Sequence, residues 1–184
     1  MSFLNLNLRD RSKWQQMTQF FKERFSVELN IDTVAKQIYL IKLHSFMELC
    51  FKDLKDFQFH ENVLDRFIKC CKKADVQYYK KILKKSKFVK CSDNSKDYYV
   101  EKVTHDEQVK RREQCLLILD KPSFRKIAYD KENKNLRLFH VQIIANLIMD
   151  IGLYMLKRAM KNAVLHKRSQ IWDIDMDDII LFGS

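Results

Sequence analysis

The sequence predicts an all-α fold: a helical bundle with one long central helix near the C-terminus. Three observations predict it. Two glycines and one proline among 184 residues leave little material for tight turns and strands. Apolar residues recur at three- and four-residue spacing through most of the chain. The stretch Phe139–His166, FHVQIIANLIMDIGLYMLKRAMKNAVLH, is apolar almost all round.

In that stretch Ile144, Ile148, Ile151 and Met155 share one face, and Ile143, Leu147 and Tyr154 widen it. A helix apolar on several faces is buried on several sides. Its span corresponds to about 40 Å. Asn146 and Asp150 interrupt an apolar run already too short for a membrane span. Gly152, near its middle, would permit a close helix crossing or be a neutral packing detail.

The remaining elements follow in order. Met1–Asp10 is a short lead in which Phe3, Leu4, Leu6 and Leu8 alternate with polar residues, an edge segment or an arm on another subunit. A helix from Asp10 or Ser12 to Phe25 presents Trp14, Met17, Phe20, Phe21 and Phe25. After a break at Ser26–Asn30, Asp32 caps a helix through about Phe51, with Val34, Ile38, Ile41, Phe46 and Leu49 inward. Glu61–Cys71 and Val76–Lys90 read as two more helices. The polar run Ser92–Asp97 is the best internal boundary, dividing a basic region, 1–91, from a C-terminal region, 98–184. Tyr98–Val103 alternates like a brief strand, and Thr104 or Asp106 caps a helix to about Leu119. Beyond Pro122 come a short helix at Ser123–Asp130, a loop at Lys131–Leu138, the long helix, a basic loop at His166–Asp173 and a last short helix from Asp175. Asp175 would cap that helix, with Asp177 and Asp178 in its first turn.

Charge gives the main functional hint. The net charge of +11 implies a polyanion, an acidic protein or an anionic membrane surface, with nucleic acid the leading expectation. Between Arg66 and Lys90 stand ten basic residues and one acid, Asp75. The ten are Arg66, Lys69, Lys72, Lys73, Lys80, Lys81, Lys84, Lys85, Lys87 and Lys90, interleaved with Tyr78, Tyr79, Ile82, Leu83 and Phe88. This is either a phosphate-contacting surface or a solvated helix face. Lysine outnumbers arginine there, which suits backbone contact over base readout.

No enzyme signature emerges. Two glycines cannot build a phosphate loop, and there is no HExxH or GxSxG. The five histidines are dispersed, and the aspartates at 173–178 lack the glycine turn and distal glutamate of an EF-hand. Five cysteines without a CxxC, and no secretory leader at the start, point to reduced thiols in the nucleus or cytosol. The chain therefore reads as non-enzymatic, with no cofactor or metal expected.

Two resemblances add to this reading. Residues from about 122, FRKIAYDKENKNLRLFHVQIIANLIMDIGLYMLKRAMKNAVLHKRSQ followed by IDMDDII, resemble the histone fold of the CCAAT-binding-factor type: short helix, loop, long helix, loop, short helix. The resemblance implies that Asp178 takes the family's helix-three aspartate position. It also implies that Lys167 and Arg168 approach DNA phosphate or pair with that aspartate, and that Ile174 sits in a short pairing strand. The second loop is longer than the family's and contains Trp172. A lone helix triplet of this kind cannot bury its long helix, so a second chain or the N-terminal helices must cover it. The expected partner interface is Ile144, Ile148, Ile151, Met155, Trp172, Ile179 and Phe182.

The opening helix pair, with Trp14 in the first helix, loosely resembles a homeobox-like module, though a plain helical hairpin has the same pattern. The whole faintly resembles the homeobox-like accessory subunits of the ciliate DNA adenine methyltransferase complex. These resemblances and the charge imply a nuclear accessory subunit that contacts the phosphates of double-stranded DNA through the Arg66–Lys90 stretch, together with Lys157, Arg158, Lys161, Lys167 and Arg168, and docks on other protein subunits, with no membrane role. A structural subunit of a ribosomal or respiratory assembly is the alternative.

Overall fold

The computed structural model describes residues 4–55, 88–93, 96–101, 105–123 and 138–179. The helices expected at Glu61–Cys71 and 76–87 lie outside these residues, as do most of the short helix at Ser123–Asp130 and the loop after it.

Helices dominate the described residues: α1 (Arg11–Phe25), α2 (Thr33–Lys55), α3 (His105–Ile118) and α4 (Leu138–Leu165). The class is all-α, with one departure. Strands β1 (Phe88–Asp93) and β2 (Lys96–Glu101) form an antiparallel hairpin, Phe88 opposite Glu101 and Asp93 opposite Lys96. Phe88–Lys90, expected to end a helix, therefore belong to a strand. Within the polar run Ser92–Asp97, expected as an internal boundary, Ser92 pairs with Asp97 and Asp93 with Lys96.

Helix α1 starts where the Asp10 carboxylate accepts from the Lys13 N–H at 3.2 Å. It stops at Ser26, whose φ of 56° is left-handed and whose N–H closes on the Lys22 carbonyl. Trp14, Met17 and Phe21 face the core, and Phe20 and Phe25 pack on it half-buried. The lead segment is an arm on this same chain. Leu4, Leu6 and Leu8 are buried, Leu6 bridges Leu119, and the Asn5 N–H donates to Ser123 Oγ. A new helical turn begins at 121, where the Asp120 carboxylate accepts from the Ser123 N–H at 2.8 Å.

In α2 the buried face differs from the expected one. Ala35, Tyr39, Leu43, Phe46 and Met47 point inward, while Val34 and Ile41 are exposed and Ile38 and Leu49 half-buried. The helix carries apolar residues on two sides, so periodicity alone leaves two candidate stripes. The neighbour that arrives decides between them.

Helix α4 is enclosed by its own chain. From Ala145 to Leu156 only Asp150 and Tyr154 escape full burial. The end of α1 lies along it: Phe25 meets the Tyr154 ring edge-on at 5.9 Å, and Arg24 pairs with Asp150 at 2.6 Å. Helix α2 crosses at Gly152, and α3 packs alongside. One hydrophobic core runs from Leu4 through α1, α2, α3 and α4 to Ile179, so the described parts of both regions share it.

The crossing at Gly152 is tight. A Cβ placed there would lie 2.6 Å from Tyr39 Oη and 3.3 Å from Leu43 Cδ2. The Tyr39 ring is fully buried against Trp14, and its hydroxyl donates to Met17 Sδ, so it cannot swing aside cheaply. Gly152→Ala is expected to lose about 1–2 kcal/mol, because overpacking outweighs the helix-propensity gain of about 1 kcal/mol. In a Tyr39→Phe background, where the blocking oxygen is gone, the same change should be near neutral. Urea denaturation of both singles and the double checks this.

Candidate functional site

The place where the two chain regions meet is built from two loops. Residues 26–32 join α1 to α2, and residues 166–172 follow α4. Ile31 and Ile171 form a parallel bridge: the Asp32 N–H donates to the Ile171 carbonyl at 2.9 Å, and the Ile171 N–H donates to Asn30 at 2.8 Å. Helix α4 stops because Lys167 turns left-handed, with φ of 58°, and the Arg168 N–H returns to the Ala163 carbonyl at 2.9 Å. A lysine in that conformation costs about 1–2 kcal/mol against glycine.

Beyond the bridge the chain forms a strap, residues 171–179, containing a 3-10 turn at Asp173–Met176. Arg168 and Asp175 anchor it. The guanidinium donates to both carboxylate oxygens, at 2.7 and 2.8 Å, and the Trp172 N–H donates to the same carboxylate at 2.8 Å. The Asp175 side chain is 1% exposed and that of Arg168 14%. The Arg168 hydrogen bonds, followed by that of Trp172, hold the Asp175 carboxyl below the usual carboxylate range although burial opposes this. A second clamp lies beside it. Arg158 donates through Nε and Nη2 to Asp178, and Asn162 Nδ2 reaches the other Asp178 oxygen at 2.7 Å. Lys42 of α2 secures the far end by donating to the Met176 and Ile179 carbonyls.

These contacts reassign several sequence-derived roles. Asp175 is the partner of Arg168, not a helix cap, because the turn begins at Asp173 and directs Asp175 back toward the loop. Asp178 pairs with Arg158 instead of Arg168. Arg168 is committed to Asp175 and is not presented for phosphate. Ile148, Ile151, Met155 and Ile179, expected at a partner interface, are fully buried in this chain's own core and out of a partner's reach. Trp172 is exposed. The Ile144 side chain, Phe182 and basic residues Arg66 to Lys87 lie outside the described residues, and Lys90 stands opposite Tyr99 in the hairpin.

The 26–32 loop exposes Ser26, Val27, Glu28 and Asn30, and the cations at the junction come from the end of α4 and its loop. Lys161 and Lys167 are exposed and make no ion pair among the described residues. Lys157 is exposed with its ammonium 5.1 Å from the centre of the Phe25 ring, beside the start of the 26–32 loop. The sequence marks these lysines together with Arg158 and Arg168, of which Arg158 is taken by Asp178 and Arg168 by Asp175; nothing in it brings the 26–32 loop, over a hundred residues earlier, beside the end of α4.

Elsewhere, a cleft of about 130 Å³ lies between α1 and α3, lined by Phe20, Glu23, Arg24 and Gln114. Burial pushes the Cys115 thiol up to about 12, so it stays protonated at neutral pH. Among the described residues no group of His, Cys, Asp or Glu could hold a metal ion, and no helix is long and apolar enough to cross a membrane. No family model, no curated protein and no solved structure matches this chain.

The clamp makes a pH prediction. Asp175 has a lower folded pKa than the unfolded value of about 3.9, so its stabilisation is complete above that value and lost as pH falls through the folded one. Asp175→Asn takes the counter-charge from a half-buried guanidinium and should lower Tm at pH 7. The difference in Tm between wild type and variant should shrink steadily below about pH 4.

Proposed function

We propose that this chain is a non-enzymatic, DNA-binding accessory subunit of a nuclear complex that acts on DNA. In this reading it grips duplex phosphates through lysines and docks on other protein subunits. The paired loops with Lys157, Lys161 and Lys167 exposed around them carry the reading, in a chain of net charge +11. Lys167 adds weight, because a lysine stands in a left-handed position that glycine fills more cheaply. The Lys-rich stretch between Arg66 and Lys90 would extend the same contact.

The C-terminal part is, in this proposal, histone-fold-like. Its long helix is covered by the N-terminal helices of its own chain instead of by a second subunit. The Arg168–Asp175 pair and the Ile31–Ile171 bridge support that arrangement, since both tie a loop to the structure beside it. Ile174, expected in a pairing strand, yields that position to Ile171.

Fluorescence anisotropy with a duplex oligonucleotide across a salt series tests the reading. Affinity should fall steeply with salt, with a log–log slope near 0.9 for each phosphate neutralised. Lys161→Gln with Lys167→Gln should reduce that slope by about 1.8. Binding that ignores salt, or none at all, would refute DNA contact and leave a structural role in an assembly. Lys167→Gly should weaken binding while raising stability by roughly 0.5 kcal/mol, the left-handed relief less the added unfolded-chain entropy.

A further inference from the structure

The strap carries a second surface whose chemistry is opposite to that of the loop junction. Trp172 is 44% exposed, yet its position is fixed from three directions. The Arg168 guanidinium lies 4.2 Å from the ring centre, Trp172 Nε1 donates to Gln170 Oε1 at 3.1 Å, and its backbone N–H is held by Asp175. An indole ordered without being buried has already met the entropy cost that a binding partner would otherwise impose. Tryptophan and arginine are also the side chains most often found as interface anchors.

The strap and α2 expose further apolar side chains. Ile174 is 53% exposed on the strap. The strap runs over α2 from Asp32, bonded to Ile171, to Lys42, bonded to Met176 and Ile179. On that same length of α2, about 15 Å, Val34 and Ile41 are 55% and 58% exposed.

Charge selects the occupant. Four aspartates stand between Asp173 and Asp178. Arg168 neutralises Asp175 and Arg158 neutralises Asp178. Asp173 and Asp177 are exposed and unpaired among the described residues. Two exposed, unpaired carboxylates disfavour a phosphate backbone there and attract cationic side chains. We infer that the strap and the exposed stripe of α2 dock an amphipathic helix of a partner protein that carries Lys or Arg beside its apolar face. This deepens the partner-docking half of the proposed function. It is independent of the DNA half, so a chain that fails to bind duplex can still take such a helix.

The test uses the full chain labelled with 5-fluorotryptophan. Its two tryptophans give two fluorine resonances, assigned with Trp172→Phe, and buried Trp14 serves as the control for folding. Three probes are titrated: a designed leucine–lysine amphipathic helix, its leucine–glutamate counterpart and a single-stranded oligonucleotide. The leucine–lysine helix should shift the Trp172 resonance saturably and leave Trp14 unmoved. Asp173→Asn with Asp177→Asn should weaken it about five-fold, and Ile174→Ser with Ile41→Ser about ten-fold. No shift, an equal shift with the glutamate helix, or undiminished binding by the variants would overturn the inference. So would a shift produced only by the oligonucleotide, which would make Trp172 a base-stacking platform instead.

Discussion

Everything described depends on burying α4. From Ala145 to Leu156 this helix has almost no solvated side to turn outward, so other elements must surround that length of it. Gly152 is what permits this. Without a side chain at that point, α2 approaches until Tyr39 and Leu43 occupy the space a Cβ would need. Helix α3 and the end of α1 pack on further sides of α4, the N-terminal arm packs on α1 and α3, and a single core forms from segments far apart in sequence. Arg24 and Asp150 add a charged contact at the edge of the same enclosure.

The enclosure determines which surfaces can interact. Once Ile148, Ile151 and Met155 are covered from within the chain, the long helix cannot serve as an open interface. The surface role moves to what the enclosure leaves outside: the end of α4, the two bridged loops and the strap. There the Arg168–Asp175 pair decides geometry. It takes the most obvious loop arginine out of circulation and turns its guanidinium onto Trp172. It also leaves Lys161 and Lys167 as the cations facing solvent, and Asp173 and Asp177 as the acids. In the chain the exposed lysines precede Arg168, and the exposed acids flank Asp175.

Legibility varied with the kind of signal. The ends of α1 were readable because Asp10 and the Ser26 break are local features. The span of α4 was readable to within a residue, since its apolar run is long and nearly unbroken. The inward face of α2 was not, because Val34 and Ile41 match the helical period as well as Tyr39 and Leu43 do. The hairpin was half legible. Its second strand alternates, but Phe88–Lys90 also fit a helix until Tyr99–Glu101 paired with them. For the site, the basic loop and exposed Trp172 were visible in the text. The pairing of Arg168 with Asp175 was not, since four aspartates offered similar spacing.

By itself the sequence determined the helical class, the long apolar helix and the excess of positive charge. These follow from composition and short-range periodicity, which act over a few residues. Tertiary structure alone decided which stripe of α2 is core, which aspartate meets which arginine, and that the N-terminal helices cover α4. Each of those outcomes is a choice between near-equivalent local options. The first and last are settled by contacts between residues over a hundred positions apart, such as Tyr39 and Gly152; the arginine–aspartate pairs span only 7 and 20 positions and are settled by how the chain turns back after α4.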